Sequence, residues 1–258
     1  MKRIITGIIL LGIGYYVLSN GDMPLFVFLT TIGVLSFYEV RRITDLRSPW
    51  LMVSNMVFYT AIMAYIHFFN VTFSLVYMVP VIVLFFIFCF EFFRKTLVFR
   101  RRPFLNNLKY FCYIYFGFSS IYLIREFENG LIYICLLFLS IWATDVFAYY
   151  GGKTFGRTKL SDLSPKKTVE GTVAGVSAAV VLMGCVCYVY GFSYYFMVLA
   201  LVIGLMGQMG DLYESLIKRT HQVKDSSNLL PGHGGILDRA DSSLFVAPIV
   251  YLMILFFQ

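Results

Sequence analysis

Charge is what this 258-residue chain has least of: Asp, Glu, Lys and Arg together make up 14% of it, against about 25% in a soluble domain. Apolar residues reach 59% and the mean hydropathy is +0.78. That combination excludes a disordered or collagen-like chain and an ordinary cytosolic enzyme. Cysteine is sparse too. Cys89, Cys112, Cys135, Cys185 and Cys187 are odd in number, sit inside apolar runs and form no C-x-x-C pair. This excludes a disulfide framework and reads as plain packing. The sequence also lacks an internal repeat and any stretch resembling a soluble domain.

What is present is a series of long apolar runs. They fall near residues 3–20, 23–40, 49–69, 72–93, 108–124, 130–150, 169–190, 193–214 and 242–257. A hydrocarbon core of about 30 Å needs roughly 20 apolar residues per helix, so the expected fold is an all-α polytopic membrane protein with about nine transmembrane helices. Residues 1–124 form an N-terminal region of five spans, and residues 125–258 a C-terminal region of four. The first span follows Lys2 and Arg3 as a signal peptide would. No small-x-small cleavage site appears before Asn20-Gly21-Asp22, so it is expected to be retained. The connections at Asn20-Gly21-Asp22, Asn70 and Gly191-Phe192 are tight, and those on the other side are longer and charged.

The net charge of +7 would suggest nucleic acid as a partner in a soluble chain, but its placement argues otherwise. Lys2, Arg3, Arg41, Arg42, Arg47, Arg94, Lys95, Arg100, Arg101, Arg102, Lys109 and the basic residues after spans six and eight all fall on one side. Arg125 stands alone on the other. The positive-inside rule makes the crowded side cytoplasmic. The N-terminus is then inside and the C-terminus outside, no nucleic acid is expected, and anionic lipid headgroups are natural contacts for the clusters.

Two segments on that side, 145–171 and 211–242, interleave acids and bases with Gly, Ser and Thr. Asp211, Glu214, Ser215 and Lys218 are spaced i, i+3, i+4, i+7 and share one helix face. Asp238, Asp241 and Ser242 repeat the pattern where span nine begins. Asp238 or Asp241 could serve as a simple N-cap. Asp211 could not, because it follows the apolar run up to Gly210, where an acid is costly without a partner or cavity. Paired carboxylates beside a glycine-rich backbone suit Mg²⁺, which takes one or two carboxylates plus phosphate oxygens. Lys166, Lys167, Lys218, Arg219, Lys224 and Arg239 would supply charge for the remaining phosphate oxygens. Gly232, Gly234 and Gly235 allow close backbone approach to a ligand, and His233 between them could bond a phosphate or sugar hydroxyl. Asp145 and Glu170 bracket the first segment and could reach the same site. Glu39 and Glu91 read as local partners of Arg42 and Arg94, and His67 and His221 as bland.

Two motifs fail. Gly152-Lys153-Thr154 ends like a Walker A loop, but Phe147 stands where its first glycine belongs. Asp238-x-x-Asp241 lacks the D-G-x-x-A-R start and the D-x-x-x-D end of CDP-alcohol phosphotransferases. A third pattern holds over about 27 residues. Ser215-Leu216-Ile217-Lys218-Arg219, then Lys224-Asp225, then Pro231-Gly232-His233-Gly234-Gly235-Ile236-Leu237-Asp238-Arg239-Ala240-Asp241 resembles the signature of phosphatidate cytidylyltransferases, or CDP-diacylglycerol synthases. Ser164-Pro165-Lys166-Lys167-Thr168 and Glu170-Gly171 are similar to the same family. Spans one to five resemble it only in hydropathy, and Ala240 stands where a larger apolar residue is more usual.

The resemblance implies nucleotidyl transfer: CTP and phosphatidate give CDP-diacylglycerol and pyrophosphate. It implies that Asp211 and Asp238 ligate Mg²⁺, with a second cation nearby as an option. Asp211, Asp238, Lys218, Arg219 and Lys167 would carry the chemistry. Lys166, Asp145, Ser215, Lys224, Asp225, His233, Gly234, Gly235, Arg239 and Asp241 would hold the substrates. Short loops and the lack of a transit segment point to a bacterial plasma membrane with the site facing the cytoplasm. The alternatives are a CTP-dependent polyprenol or phytol kinase, which transfers the γ-phosphoryl group, and a secondary transporter using Asp145, Glu39, Glu91 and Asp211. The transporter fits poorly, because the acids lie at helix ends rather than in broken midplane helices. The Gly204/Gly207/Gly210 stripe could pack helices within one chain or between two copies of a homodimer.

Overall fold

The computed structural model describes residues 2–44, 49–69, 75–97 and 102–257. Arg47, Asn70, Arg100 and Arg101 lie outside them. The described residues form nine helices: α1 (Lys2–Asn20), α2 (Asp22–Thr44), α3 (Pro49–Phe69), α4 (Leu75–Arg94), α5 (Pro103–Arg125), α6 (Gly130–Phe155), α7 (Val169–Tyr190), α8 (Tyr195–Thr220) and α9 (Leu237–Phe257). Outside them the backbone pairs in isolated bridges at Lys159–Thr168 and Leu230–Gly234. Each apolar run has become one helix. Helices α5, α6, α8 and α9 extend past their runs into polar sequence at the basic end, where water or protein can satisfy polar side chains.

Six helices, α2, α3 and α6 to α9, are long and apolar enough to cross a membrane, and they turn large apolar side chains outward. Val57, Phe58, Val181 and Tyr188 are each more than half exposed, a surface that suits lipid rather than water. The protein is thus a polytopic, all-helical membrane protein. Helix α5 is different because it lies at the centre. Tyr113 to Phe116 and Phe118 to Ile124 are buried, packed among α2, α3, α4, α6 and α9. Its Ser119 and Ser120 hydroxyls donate to the carbonyls of Tyr115 and Phe116 at 2.6 Å, so these two hydroxyls are paired inside protein.

One apolar core runs from Val17 to Ile254, joining the N-terminal five helices to α6, α8 and α9, and α7 packs through a second cluster with Leu136, Met183, Cys187 and Ala200. Helices α6 and α7 approach most closely. A Cβ on Gly175 would stand 2.3 Å from the Thr144 carbonyl, so only glycine permits the contact. The Gly204/Gly207/Gly210 stripe is occupied within the chain: Gly204 faces Thr144 and Val176, while Gly207 and Gly210 face α9. Arg125, the lone basic residue at the far end, donates to the carbonyls of Leu18 (2.9 Å) and Ser19 (3.4 Å) at the C-terminus of α1. It satisfies carbonyls the helix leaves open.

Candidate active site

The polar residues gather at the opposite end of the bundle. The N-terminus of α7 is set by Thr168, whose hydroxyl accepts from the Gly171 amide. The preceding turn is closed by the Glu170 carboxylate, which accepts from the amides of Arg157 and Thr158 at 3.1 Å. Leu160 N–H donates to the Lys167 carbonyl at 2.9 Å. These bonds aim Lys167 at α8, where its Nζ lies 2.6 Å from Asp211 Oδ2 and 2.9 Å from Gln208 Oε1. Gln208 Nε2 in turn donates to Asp145 Oδ1 on α6 at 3.0 Å.

A second group forms one turn farther along α8. Lys218 Nζ bonds Glu214 Oε2 on its own helix and Asp238 Oδ1 on α9, the latter at 2.7 Å. The other Asp238 oxygen accepts from Ser226 N, Ser226 Oγ and Gly235 N, each at 2.9 Å. Asp238 is therefore no simple cap of its own helix. It ties the 221–236 loop to Lys218. Asp241, whose Oδ1 accepts from the Ser242 amide at 2.7 Å, lies within electrostatic reach of Asp211, Lys218 and Lys167.

The i, i+4 face expected on α8 is present for Glu214 and Lys218, whereas Asp211 turns to Lys167 in the loop before α7. Asp145, Lys167, Asp211, Lys218, Asp238 and Asp241 are thus brought together. Ser215 is half-buried beside them, and Lys166, Arg219, Lys224, Asp225 and Arg239 are exposed at the rim. Arg239 Nε donates to the His233 carbonyl at 2.9 Å. His233 Nδ1 is buried without a hydrogen-bond partner among the described residues.

The glycine-rich turn serves the protein first. Gly232 (φ 79°) and Gly234 (φ 86°) take the left-handed conformation. A Cβ on Gly235 would meet Ser226 Oγ at 1.9 Å and Glu39 Oε1 at 2.4 Å. Sequence reasoning missed Gln208 and Ser226, although Gln208 is the one polar residue in the run before Asp211. It also misplaced two acids. Glu39 meets the 226–237 segment rather than Arg42. Glu91 accepts from Lys109 at 2.9 and 3.0 Å and from the Tyr213 hydroxyl at 2.8 Å. Arg94 instead lies over the Phe90 ring at 5.5 Å.

Carboxylates outnumber ammonium groups where these side chains meet. Asp145, Asp211, Glu214, Asp238 and Asp241 face the two ammonium groups of Lys167 and Lys218, and Glu214 Oε1 is buried without a hydrogen-bond partner among the described residues. An excess of hard oxygen donors suits a divalent cation. Asp211 fits that role, since its side chain is 33% exposed. Asp238 does not have the same freedom: at 7% exposure its oxygens are taken by four donors, and a cation there must displace Lys218.

The chain is similar to phosphatidate cytidylyltransferases of Synechocystis sp. (48% identical over 120 residues, 45% of this chain and 41% of that one) and of Bacillus subtilis (47% over 122 residues, 46% and 45%). It is also similar to chloroplastic phosphatidate cytidylyltransferase 4 of Arabidopsis thaliana (45% over 126 residues, 45% and 31%). The matched part thus spans less than half the length of these curated relatives. The profile of the cytidylyltransferase family, by contrast, matches residues 1–257, and the chain belongs to that family.

Proposed function

We propose that this protein is a phosphatidate cytidylyltransferase: a phosphatidate oxygen attacks the α-phosphorus of CTP, the bond to the β-phosphate bridging oxygen breaks, and pyrophosphate leaves. The observation that carries the reading is the pair of oriented lysines, Lys167 on Asp211 and Gln208, and Lys218 on Glu214 and Asp238. An ammonium has three donors. Each lysine spends two on the protein and keeps one for a phosphate oxygen, with its direction already set.

The nucleophile is an anion at neutral pH, so the site needs no strong general base. Its work is to place two polyanions in line and offset their charge. Two lysines already matched by five acids cannot do that alone. Mg²⁺ held at Asp211 would supply the missing positive charge to the triphosphate and its leaving group. Asp145 and Asp241 add negative field around that position, and Asp238 joins it only by releasing Lys218. Lys166, Ser215, Arg219, Lys224, Asp225, His233, Gly234 and Arg239 form the rim through which CTP enters. The depth of the cluster, at the ends of lipid-facing helices, suits a substrate whose phosphate lies at the headgroup level and whose chains stay in the bilayer. By the distribution of basic residues this end faces the cytoplasm.

The test uses purified protein in detergent with phosphatidate, Mg²⁺ and CTP labelled at the α-phosphate. Label passing into the lipid phase, and lost with EDTA or with Asp211→Asn, supports the reading. Label entering lipid from γ-labelled CTP instead identifies a lipid kinase and refutes it.

A further inference from the structure

A buried acid of the N-terminal helices bonds the turn beside the site from outside it. Glu39, on α2, is 0% exposed. Its Oε1 accepts from Ser227 Oγ at 2.5 Å and from Ile236 N at 2.8 Å. Its Oε2 accepts from Leu237 N at 2.8 Å and Ser226 Oγ at 3.2 Å. All four donors belong to residues 226–237, the turn that delivers Asp238. Two of them, Ile236 N–H and Leu237 N–H, are open donors at the N-terminus of α9. Glu39 therefore does for α9 what an N-cap side chain normally does, with a negative charge at the positive end of the helix dipole.

We infer that Glu39 is a positioning residue for nucleotidyl transfer, holding the 226–237 turn so that Asp238 aims Lys218. The link is direct. Ser226 Oγ lies 2.9 Å from Asp238 Oδ2 and 3.2 Å from Glu39 Oε2, so one hydroxyl joins the two carboxylates. Gly235 is closed in by the same pair: its N–H donates to Asp238, and any side chain there would strike Ser226 and Glu39. The run Glu39, Ser226, Asp238, Lys218 crosses from α2 through the turn and α9 to α8. It gives the N-terminal half a part in the chemistry. A charged group shut away from water persists only where it is paired or fully hydrogen-bonded, and here all four bonds go to one functional turn.

The inference rests on the reaction proposed above, and its test separates the two. Glu39→Gln keeps the shape but leaves one acceptor oxygen, and it sets an NH₂ group against donors that Glu39 had accepted. In the full-length protein, label transfer from α-labelled CTP should lose about 10- to 100-fold in kcat, the usual effect of removing a supporting partner, while KM for CTP stays near that of the wild type. Amide hydrogen exchange should quicken across 226–237 and not in α6. The double variant Glu39→Gln/Ser227→Ala removes one of the opposing donors and should recover part of the kcat, as coupled partners do. A folded Glu39→Gln protein with wild-type kcat, or with unchanged exchange at 226–237, overturns the inference. So does a double variant whose two losses simply add. Should Glu39→Gln fail to fold, Ser227→Ala alone decides: slower turnover with faster exchange supports the inference, and wild-type values overturn it. If the wild type places no α-label in lipid, the reaction is wrong, while exchange, which needs no substrate, still reports whether Glu39 holds the turn.

Discussion

Asp211 and Asp238 look equivalent in the sequence, yet neutralising each should have different consequences. In Asp238→Asn the remaining carbonyl oxygen can stay with the Ser226 and Gly235 donors, and the new NH₂ group then faces the Lys218 ammonium. One charge-assisted hydrogen bond, worth about 1.5–3 kcal/mol, is replaced by two opposed donors. At roughly 2–4 °C per kcal/mol for a chain of this size, Tm falls by about 3–12 °C. Asp211 is 33% exposed, and its ion pair with Lys167 is of the partly solvated kind, worth about 0–1 kcal/mol. Asp211→Asn should therefore move Tm by no more than about 4 °C. Its cost lies in turnover, by about 100-fold or more, because it removes the group proposed to hold the cation. Thermal unfolding in detergent and α-label transfer on the same preparations measure both. Asp211→Asn with near-normal turnover would refute the catalytic placement. Asp238→Asn melting like the wild type would refute its role as anchor of the turn.

Other substitutions probe the scaffold. Lys109→Met strands Glu91, whose side chain is 0% exposed, and should cost about 3–5 kcal/mol. The double variant Glu91→Leu/Lys109→Met should recover much of that loss, and equal melting of single and double variants would contradict the pairing. Gly175→Ala forces α6 and α7 apart, because the new methyl meets the Thr144 carbonyl, and should cost about 1–3 kcal/mol. Gly184→Ala, which meets only the flexible end of the Met197 side chain at 3.4 and 3.6 Å, is its control and should melt like the wild type. Arg125→Ala frees the carbonyls that end α1 and should speed amide exchange at the α1–α2 turn while turnover stays unchanged. A fall in turnover there would mean that the far end couples to the site.

Apolar run length alone was enough to read nine helices, since a bilayer demands continuous segments of set length. The scarcity of charge likewise left few acids to consider, and Asp211 declared itself by following an apolar run. The helix-face spacing located the Glu214–Lys218 contact, because i, i+4 geometry is local. Three-dimensional packing decided the rest. Hydropathy cannot tell a lipid-facing helix from a central one, so α5, with its buried tyrosines and serines, was legible only as one more span. Nor can spacing reveal partners distant in sequence: Glu39 meets Ser226 across 187 positions, and Lys167 meets Gln208 across 41. A buried carboxylate takes whatever donors the fold brings within about 3 Å. Nearby arginines therefore misled the reading of Glu39 and Glu91, whose partners come from the 226–237 turn and from α5 and α8. The sequence determined which polar residues were available to build a site. The tertiary structure decided which of them hold one another, because pairing depends on distance through space rather than along the chain.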